Sequence, residues 1–432
     1  MPTRPDVVAV IGGGASGVLA AVHLQRAARE PVRVVIVEPR AELGRGIAYG
    51  TTDPGHLLNV RAGCLSALPE EPGHFTAWAR RHTDADTTSF LPRTWYGEYL
   101  RSLLEPVEHV PARAEDLTPV GAGVQIALSD GTRRNVDRVV LAPGSPPPAW
   151  PEPLGGNGDR WIGDPWAPGA LAEIPPGAPV LLVGTGLSAV DAALTLHGAG
   201  HRHIVATSRH GLLPHPHSEK PFPELSIDLP RRPTARALVA WARQTAAEVG
   251  DWGPVVDALR PGTDELWGAM TASERKRLLR HVYRRWEVLR HRMAPPVATR
   301  IDDMLQSGHL TIVAGAVRSA RATPGGIEVT VAGRQLRFGA VVNCTGPSAD
   351  VRRTRHPLVR RLLDRGVAHP GPLALGLDTD EHGSVPGTHD ALWVVGPLRR
   401  GQRWETTAIP EIRAQAADLA LSLWRSDELV VA

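Results

Sequence analysis

Residues 6–40 read DVVAVIGGGASGVLAAVHLQRAAREPVRVVIVEPR, and this stretch decides the fold. An apolar β-branched run ends at three glycines, a helix with alanines on its packing face follows, and a second apolar run ends in Glu38. Strand, glycine turn, helix and strand make a βαβ unit, with parallel strands and a right-handed crossover. The glycines fall as Gly12-x-Gly14-x-x-Gly17 between strand and helix, which is the context that gives this fingerprint its meaning. Gly12 permits the tight turn, Gly14 leaves space for a pyrophosphate against the backbone, and Gly17 lets helix and strand pack closely. The helix start offers unpaired N–H groups and a positive dipole end to a phosphate. Glu38 stands 21 positions beyond Gly17, where a carboxylate accepts from a ribose hydroxyl.

The pattern returns once. Residues 180–210 read VLLVGTGLSAVDAALTLHGAGHRHIVATSRH, with the fingerprint Gly184-x-Gly186-x-x-Ala189. Its second strand ends in Ser208, Arg209 and His210 instead of an acid. A 2′-phosphate needs cations and hydroxyls and is repelled by a carboxylate, so this unit is predicted to take NADPH. Its expected contacts are Gly184, Gly186, Leu187, Ser188, Ala189, Ser208, Arg209 and His210. Two nucleotide sites in one chain imply a relay in which hydride passes from NADPH to a flavin, so the first unit is predicted to hold FAD. The candidate FAD contacts there are Gly12, Gly14, Ala15, Ser16, Gly17, Glu38, Pro39 and Arg40. Ala142 and Gly144, at the end of the strand-and-turn segment 136–144, join them.

The fold class is therefore α/β, with two Rossmann-like units. The later strands 338–347 and 391–398 and the C-terminal helix 409–424 read as a return to the first unit. The expected organisation is a discontinuous FAD domain over 1–150 and 310–432, an NADPH domain over 155–225, and a helical insertion over 226–309 on the substrate side. Five prolines in 145–153 mark the linker out of the first domain. Within the helical stretch Leu279, Val282, Trp286, Leu289 and Met293 form an apolar stripe. Arg275, Lys276, Arg277, Arg280, Arg284, Arg285, Arg290, Arg292 and Arg300 oppose Glu274 and Glu287 there. These cations suit either a solvated face or the capture of an anionic substrate or of cofactor phosphates.

The bulk properties narrow the field. A chain of 432 residues carries two or three domains, and 42% hydrophobic with 22% charged residues is an ordinary globular mixture. The net charge of +3 is too balanced to argue for nucleic acid or membrane partners. No apolar run approaches the ~18 residues of a membrane span. The first strand starts at Val7, leaving no room for a signal peptide, so a cytoplasmic protein is expected. Two distant cysteines, Cys64 and Cys344, exclude a disulfide framework, a multi-cysteine metal site and the flavin reductases that relay electrons through a cysteine pair. No metal is predicted. His215, His217 and His291 stand among 18 histidines and receive no role.

Six stretches carry a family resemblance: GIAYG at 46–50, HLLNVRAG at 56–63, FLPRTWYGEYL at 90–100, GTGLSAVDAAL at 184–194, WEVLRHRMAP at 286–295 and GPLRRGQRWETTAIPEIR at 396–413. The chain resembles the bacterial FAD/NAD(P)-binding family related to class B flavoprotein monooxygenases, which include amine and amino-acid N-hydroxylases. The resemblance implies that Leu58, Asn59 and Gly396 approach the FAD. It also implies that Ala408 and Ile409 present a helix start to the pyrimidine edge of the flavin, stabilising its anionic reduced form. Asn59 matches an asparagine near the oxygen-reactive face of the flavin and is the candidate catalytic residue. The implied activity is oxygenation of a small nucleophilic substrate, such as an amine or amino acid, through a C4a-hydroperoxyflavin formed with molecular oxygen. Flavin oxidase, dehydrogenase or reductase chemistry without oxygenation remains open, as does a non-catalytic FAD-binding role. The chain departs from the N-hydroxylases in reading Cys344-Thr345-Gly346-Pro347 where an Ala-Thr-Gly-Tyr type sequence is common.

Overall fold

The computed structural model describes residues 6–152, 154–155, 158, 160–222, 224–227, 233–348 and 350–430. The chain opens with β1 (Asp6–Ile11), α1 (Ala15–Ala27) and β2 (Val32–Val37), followed by α2 (His74–Ala79), α3 (Arg93–Ser102) and β3 (Glu108–Val110). An antiparallel meander of β4 (Ala114–Val120), β5 (Gly123–Leu128) and β6 (Arg133–Val136) leads into β7 (Arg138–Leu141). The second unit begins with β8 (Trp161–Ile162), β9 (Val180–Val183), α4 (Leu187–Gly198) and β10 (Ile204–Ser208). Six helices follow: α5 (Ala235–Val249), α6 (Trp252–Leu259), α7 (Thr263–Ala269), α8 (Ala272–His281), α9 (Tyr283–Arg290) and α10 (Pro295–Gln306). Then come β11 (Leu310–Ala314), the antiparallel β12 (Val317–Thr323), β13 (Gly326–Val331) and β14 (Arg334–Phe338), and β15 (Ala340–Asn343). The chain closes on α11 (Pro357–Asp364), β16 (Leu392–Val394) and α12 (Ile409–Val430). Pro153, the last proline of the expected linker, lies outside the described residues.

Two parallel sheets carry the molecule, ordered β16-β7-β1-β2-β3 and β11-β10-β9-β15-β8. This is the α/β fold with two Rossmann-like units that the glycine fingerprints announce. In β1, Val8 and Val10 face a core shared with α1, α3 and α12, while Val7, Ala9 and Ile11 face one shared with the meander and α11. Both faces are covered, which is why β1 reads as an unbroken apolar run instead of an alternating one. Its register with β2 runs from Asp6 opposite Val32 to Ile11 opposite Val37, so both strands end at the same edge and deliver Gly12 and Glu38 side by side.

The sheet order corrects one expectation. Residues 310–343 do not return to the first unit: β11 pairs with β10 and β15 pairs with β9, both in the second sheet. Helix α10, expected in the insertion, packs Val297, Ala298, Ile301 and Met304 into the second unit's core. The reason is that β15 with its glycine turn is the second unit's own copy of β7 with its turn. Each fills the same place beside the first strand of its own unit. The first sheet regains the chain only at β16, which pairs with β7.

Candidate active site

In the first unit Gly12 has φ +108°, a conformation L side chains rarely adopt, and a Cβ there would lie 2.3 Å from the Ala142 carbonyl oxygen. A Cβ on Gly17 would lie 1.8 Å from the Gly12 carbonyl oxygen, so the close packing of helix and strand is obligatory. Gly14 differs: at φ −75° any residue is allowed, and a Cβ there would meet only the Gly46 Cα, at 3.4 Å. Its open side faces a cavity of about 420 Å³. Glu38, buried, accepts from the Gly13 N–H (2.9 Å) through Oε2 and from the Arg40 N–H (3.0 Å) through Oε1. Each oxygen keeps a lone pair for a diol, and the carboxylate cannot swing away.

The second unit repeats the device. Gly184 has φ +124°, and a Cβ there would lie 2.1 Å from the Cys344 carbonyl oxygen, as Gly12 lies over Ala142. Gly186, at the start of α4, has nothing within 4 Å of its Cβ position. The hydroxyls of Thr185 and Ser208 bond at 2.8 Å and tie the ends of β9 and β10 together. Arg209 and His210 follow, both exposed.

One cavity collects parts of both units. From the expected set, Gly12, Gly14, Ala15, Ser16, Glu38, Arg40, Leu58, Asn59, Ala142, Gly144, Ala408 and Ile409 line it, and Leu187 and Ser188 line it from the second unit. Gly17, Pro39, Gly184, Gly186, Ala189, Ser208, Arg209 and His210 do not. Neither does Gly396, at φ +82°, where a Cβ would lie 2.6 Å from the Ser16 hydroxyl oxygen, while its neighbour Pro397 reaches the wall. Gly396 is fixed by Gln415 and Thr406: its N–H donates to Gln415 Oε1 (3.1 Å) and its carbonyl accepts from the Thr406 hydroxyl (2.8 Å).

Sequence reasoning missed several wall residues. Arg93, at the start of α3, and Asp191, on the second turn of α4, form a buried ion pair of 2.8 Å across the two units. Nearby, burial pushes the Asp53 carboxyl up, but the Thr195 hydroxyl, the Gly55 N–H and His56 outweigh it and hold the group below its usual range. Removing one member of a buried pair leaves the other uncompensated, at a cost of about 3–5 kcal/mol. Asp191→Ala is therefore expected to lower the unfolding free energy by a margin of that order, read as a lower denaturant midpoint at unchanged m. A midpoint equal to wild type would show that the two units are not held by this pair. Asn343, at the end of β15, also lines the cavity; its oxygen serves Thr345, and its buried Nδ2 has no partner among the described residues. The six motif stretches already contained Arg93 and Asp191, but nothing in a linear reading says that α3 and α4 face each other.

Asn59 is held by a histidine that received no role. His217 Nε2 donates to the Asn59 carbonyl (3.0 Å), and its ring lies 5.0 Å from that of Phe90. The backbones of His215 and His217 bond in turn to Met293, just after α9. Burial pushes the His217 imidazole down to about 4, with Arg292 and Arg61 adding to it. The folded value lies below the unfolded one of about 6.5, so the stabilisation is complete above pH ~6.5 and declines as pH falls towards 4. The expected loss over that window is on the order of 3 kcal/mol, from about 1.4 kcal/mol per unit. His217→Gln should flatten that slope relative to wild type in urea titrations at pH 4 to 6.5; parallel curves would remove His217 as its source. His291 lines the cavity beside Arg290; burial also lowers its imidazole, against the opposing pull of Glu287 at 3.5 Å.

A cavity walled by two glycine-loop units on two parallel sheets defines the class, the paired dinucleotide-binding fold. Residues 9–146 match the family model described as FAD-NAD(P)-binding. Among curated proteins, L-aspartate N-monooxygenase (nitrosuccinate-forming) from Streptomyces cremeus is 28% identical over 277 residues, which is 51% of this chain and 41% of that protein. The match thus spans less than half the length of that relative. Among solved structures, ornithine N-hydroxylase from Kutzneria sp. 744 superposes with a TM-score of 0.68 at 15% identity, over 98% of this chain and 100% of that one. The reduced form of ornithine hydroxylase from Pseudomonas aeruginosa gives 0.65 at 17% identity, with the same coverage. A cadaverine monooxygenase from Erwinia amylovora gives 0.66 at 13% identity, over 98% and 94%. These likenesses share the whole two-unit fold. Among the described residues no helix is long and apolar enough to cross a membrane.

Proposed function

We propose that this chain is an FAD-dependent monooxygenase that draws its electrons from NADPH and oxygenates a small nucleophilic substrate, an amine or amino acid. The observation that carries the reading is the single cavity onto which Gly14, Glu38 and the starts of α1, α4 and α12 all open. The residues fit FAD: Gly14 leaves its Cβ side open to the cavity, the fixed Glu38 carboxylate suits a ribose, and the start of α1 suits a pyrophosphate. FAD held there would supply hydride acceptance from NADPH and activation of oxygen, of which one atom would enter the substrate and the other would leave as water. The chain's own residues bind and orient. The start of α12, at Ala408 and Ile409, stabilises negative charge on the reduced ring. Leu187 and Ser188, at the start of α4, would hold the phosphates of NADPH beside the cavity. Asn59, whose backbone carbonyl is held by His217, would offer its side-chain amide to the ring or the nicotinamide. The cytoplasm, where NADPH is kept reduced, is the compartment this reading requires. The curated relative's nitrogen oxygenation and the N-hydroxylase folds support it.

The test is rapid mixing of the holoenzyme with NADPH under anaerobic conditions, then with oxygen. Fast bleaching of the flavin, followed by a delayed return of oxidised absorbance while NADP⁺ is bound, supports the proposal. Immediate reoxidation with stoichiometric peroxide would identify an oxidase or reductase, and no bleaching a non-catalytic FAD protein.

A further inference from the structure

Beside the main cavity lies a side bay of about 30 Å³ that shares Ser145, Pro146, Pro347, Pro397 and Thr407 with it. Its lining includes Asp350 and, as its cation, Arg400. Its guanidinium is held between two rings, 4.9 Å from the centroid of Trp404 and 5.4 Å from that of Tyr283. Nη2 donates to the Tyr283 hydroxyl (3.1 Å), and Nε is buried with no partner.

The neighbouring arginines show what is unusual about it. Arg290 pairs with Glu405 (3.2 Å), Arg260 forks onto Glu411 (2.6 and 2.9 Å), and Arg403 faces Asp264 (3.6 Å). Arg400 has no carboxylate within ion-pair distance among the described residues. Asp350, which also lines the bay, is spent on a fork from Arg352 (2.9 and 2.8 Å), and Glu287 and Glu405 act on Arg400 only as more distant charges, outside ion-pair distance. Burial penalises the charge, but the Tyr283 hydroxyl and the more distant Glu287 and Glu405 outweigh that penalty, so the guanidinium stays charged with aromatic faces and no carboxylate in contact. The planar fork is left positioned for a carboxylate, the partner it matches geometrically.

We propose that this bay binds the carboxylate of the substrate, with Arg400 as the residue that recognises it, so that the oxygenated molecule is an amino acid and not a diamine. This rests on the oxygenase reading. A diamine would bring a second positive charge towards a guanidinium that has no carboxylate in contact. A carboxylate seated in the bay would instead leave the rest of the substrate at the Pro397–Thr407 wall, on the cofactor side.

Titration of oxidised, FAD-loaded enzyme with succinate, L-aspartate, L-ornithine and cadaverine, followed by the flavin difference spectrum, tests the bay without NADPH or turnover. Its failure is therefore distinct from failure of the oxygenase reading, which shows in the NADPH and oxygen mixing. At least one carboxylate should perturb the flavin saturably, and cadaverine should not. Arg400→Leu should weaken that binding roughly 10- to 100-fold, and Arg400→Lys, which keeps the charge but loses the fork, by a smaller factor. Two results overturn the proposal: a response to cadaverine with none to any carboxylate, or no response to any of the four. A third is an Arg400→Leu protein that keeps its FAD and its carboxylate Kd. Should that variant lose FAD, the wild-type selectivity decides alone.

Discussion

Replacing Gly14 with leucine is expected to give protein that folds and remains colourless. The two halves of that expectation have separate causes. Folding should survive because Gly14 sits at φ −75° and ψ −169°, an extended conformation open to any residue, and because its Cβ would touch only Gly46 Cα at ordinary contact distance. Cofactor should be lost because the rest of the leucine side chain would project into the cavity over the start of α1, where a pyrophosphate would receive the helix N–H groups. The neighbouring glycine gives the contrast. A Cβ on Gly17 would lie 1.8 Å from the Gly12 carbonyl oxygen, so even Gly17→Ala must push helix and strand apart and should fail to fold. Flavin absorbance per protein, together with circular dichroism melting, separates the two. A yellow Gly14→Leu protein at full stoichiometry would remove the first loop as the FAD site. A melted one would mean that the loop cannot bear a side chain even without cofactor.

The glycine loops were legible because each is local: strand, turn and helix are contiguous, and the demand for positive φ at Gly12 and Gly184 is written into the residues themselves. What supports each loop was not. The carbonyls beneath them belong to Ala142 and Cys344, more than a hundred positions away in each case, and only the sheet order reveals that β7 and β15 are equivalent. The same equivalence explains the misplaced boundary at 310. Since both units close with a strand and a glycine turn, a linear reading cannot say which unit owns the copy at 338–347. The solvated face read from the charge count holds for Lys276, Arg277, Arg280, Arg284, Arg285 and Arg300, which are exposed, and fails for two other arginines for a related reason. Arg290 and Arg292 are buried and paired with Glu405 and Asp257, partners outside the counted window, so they are not part of a solvated face. Arg400, by contrast, stood in a quoted motif without comment, since the absence of a partner is visible only in three dimensions.

Coenzyme choice yields the other large expected effect, and it falls on Arg209. The residue follows β10 directly, at the carboxyl edge of the second sheet, where the adenosine ribose of a bound dinucleotide lies in such folds. Ser208 is committed to Thr185 and to the Gly211 N–H, so its hydroxyl is oriented by the protein. Arg209 is exposed and makes no ion pair among the described residues, which leaves its fork available to a 2′-phosphate. Charge-assisted bonds of this kind contribute roughly 1.5–3 kcal/mol. Arg209→Ala should therefore weaken NADPH by about 10- to 100-fold. NADH, which has a hydroxyl where NADPH carries the phosphate, should bind both proteins alike. Flavin-reduction titrations with each coenzyme on wild type and variant read the difference directly. Equal losses for both would assign Arg209 to the shared pyrophosphate or to the fold, and the preference for NADPH would then have to rest on the absence of an acid after β10 alone.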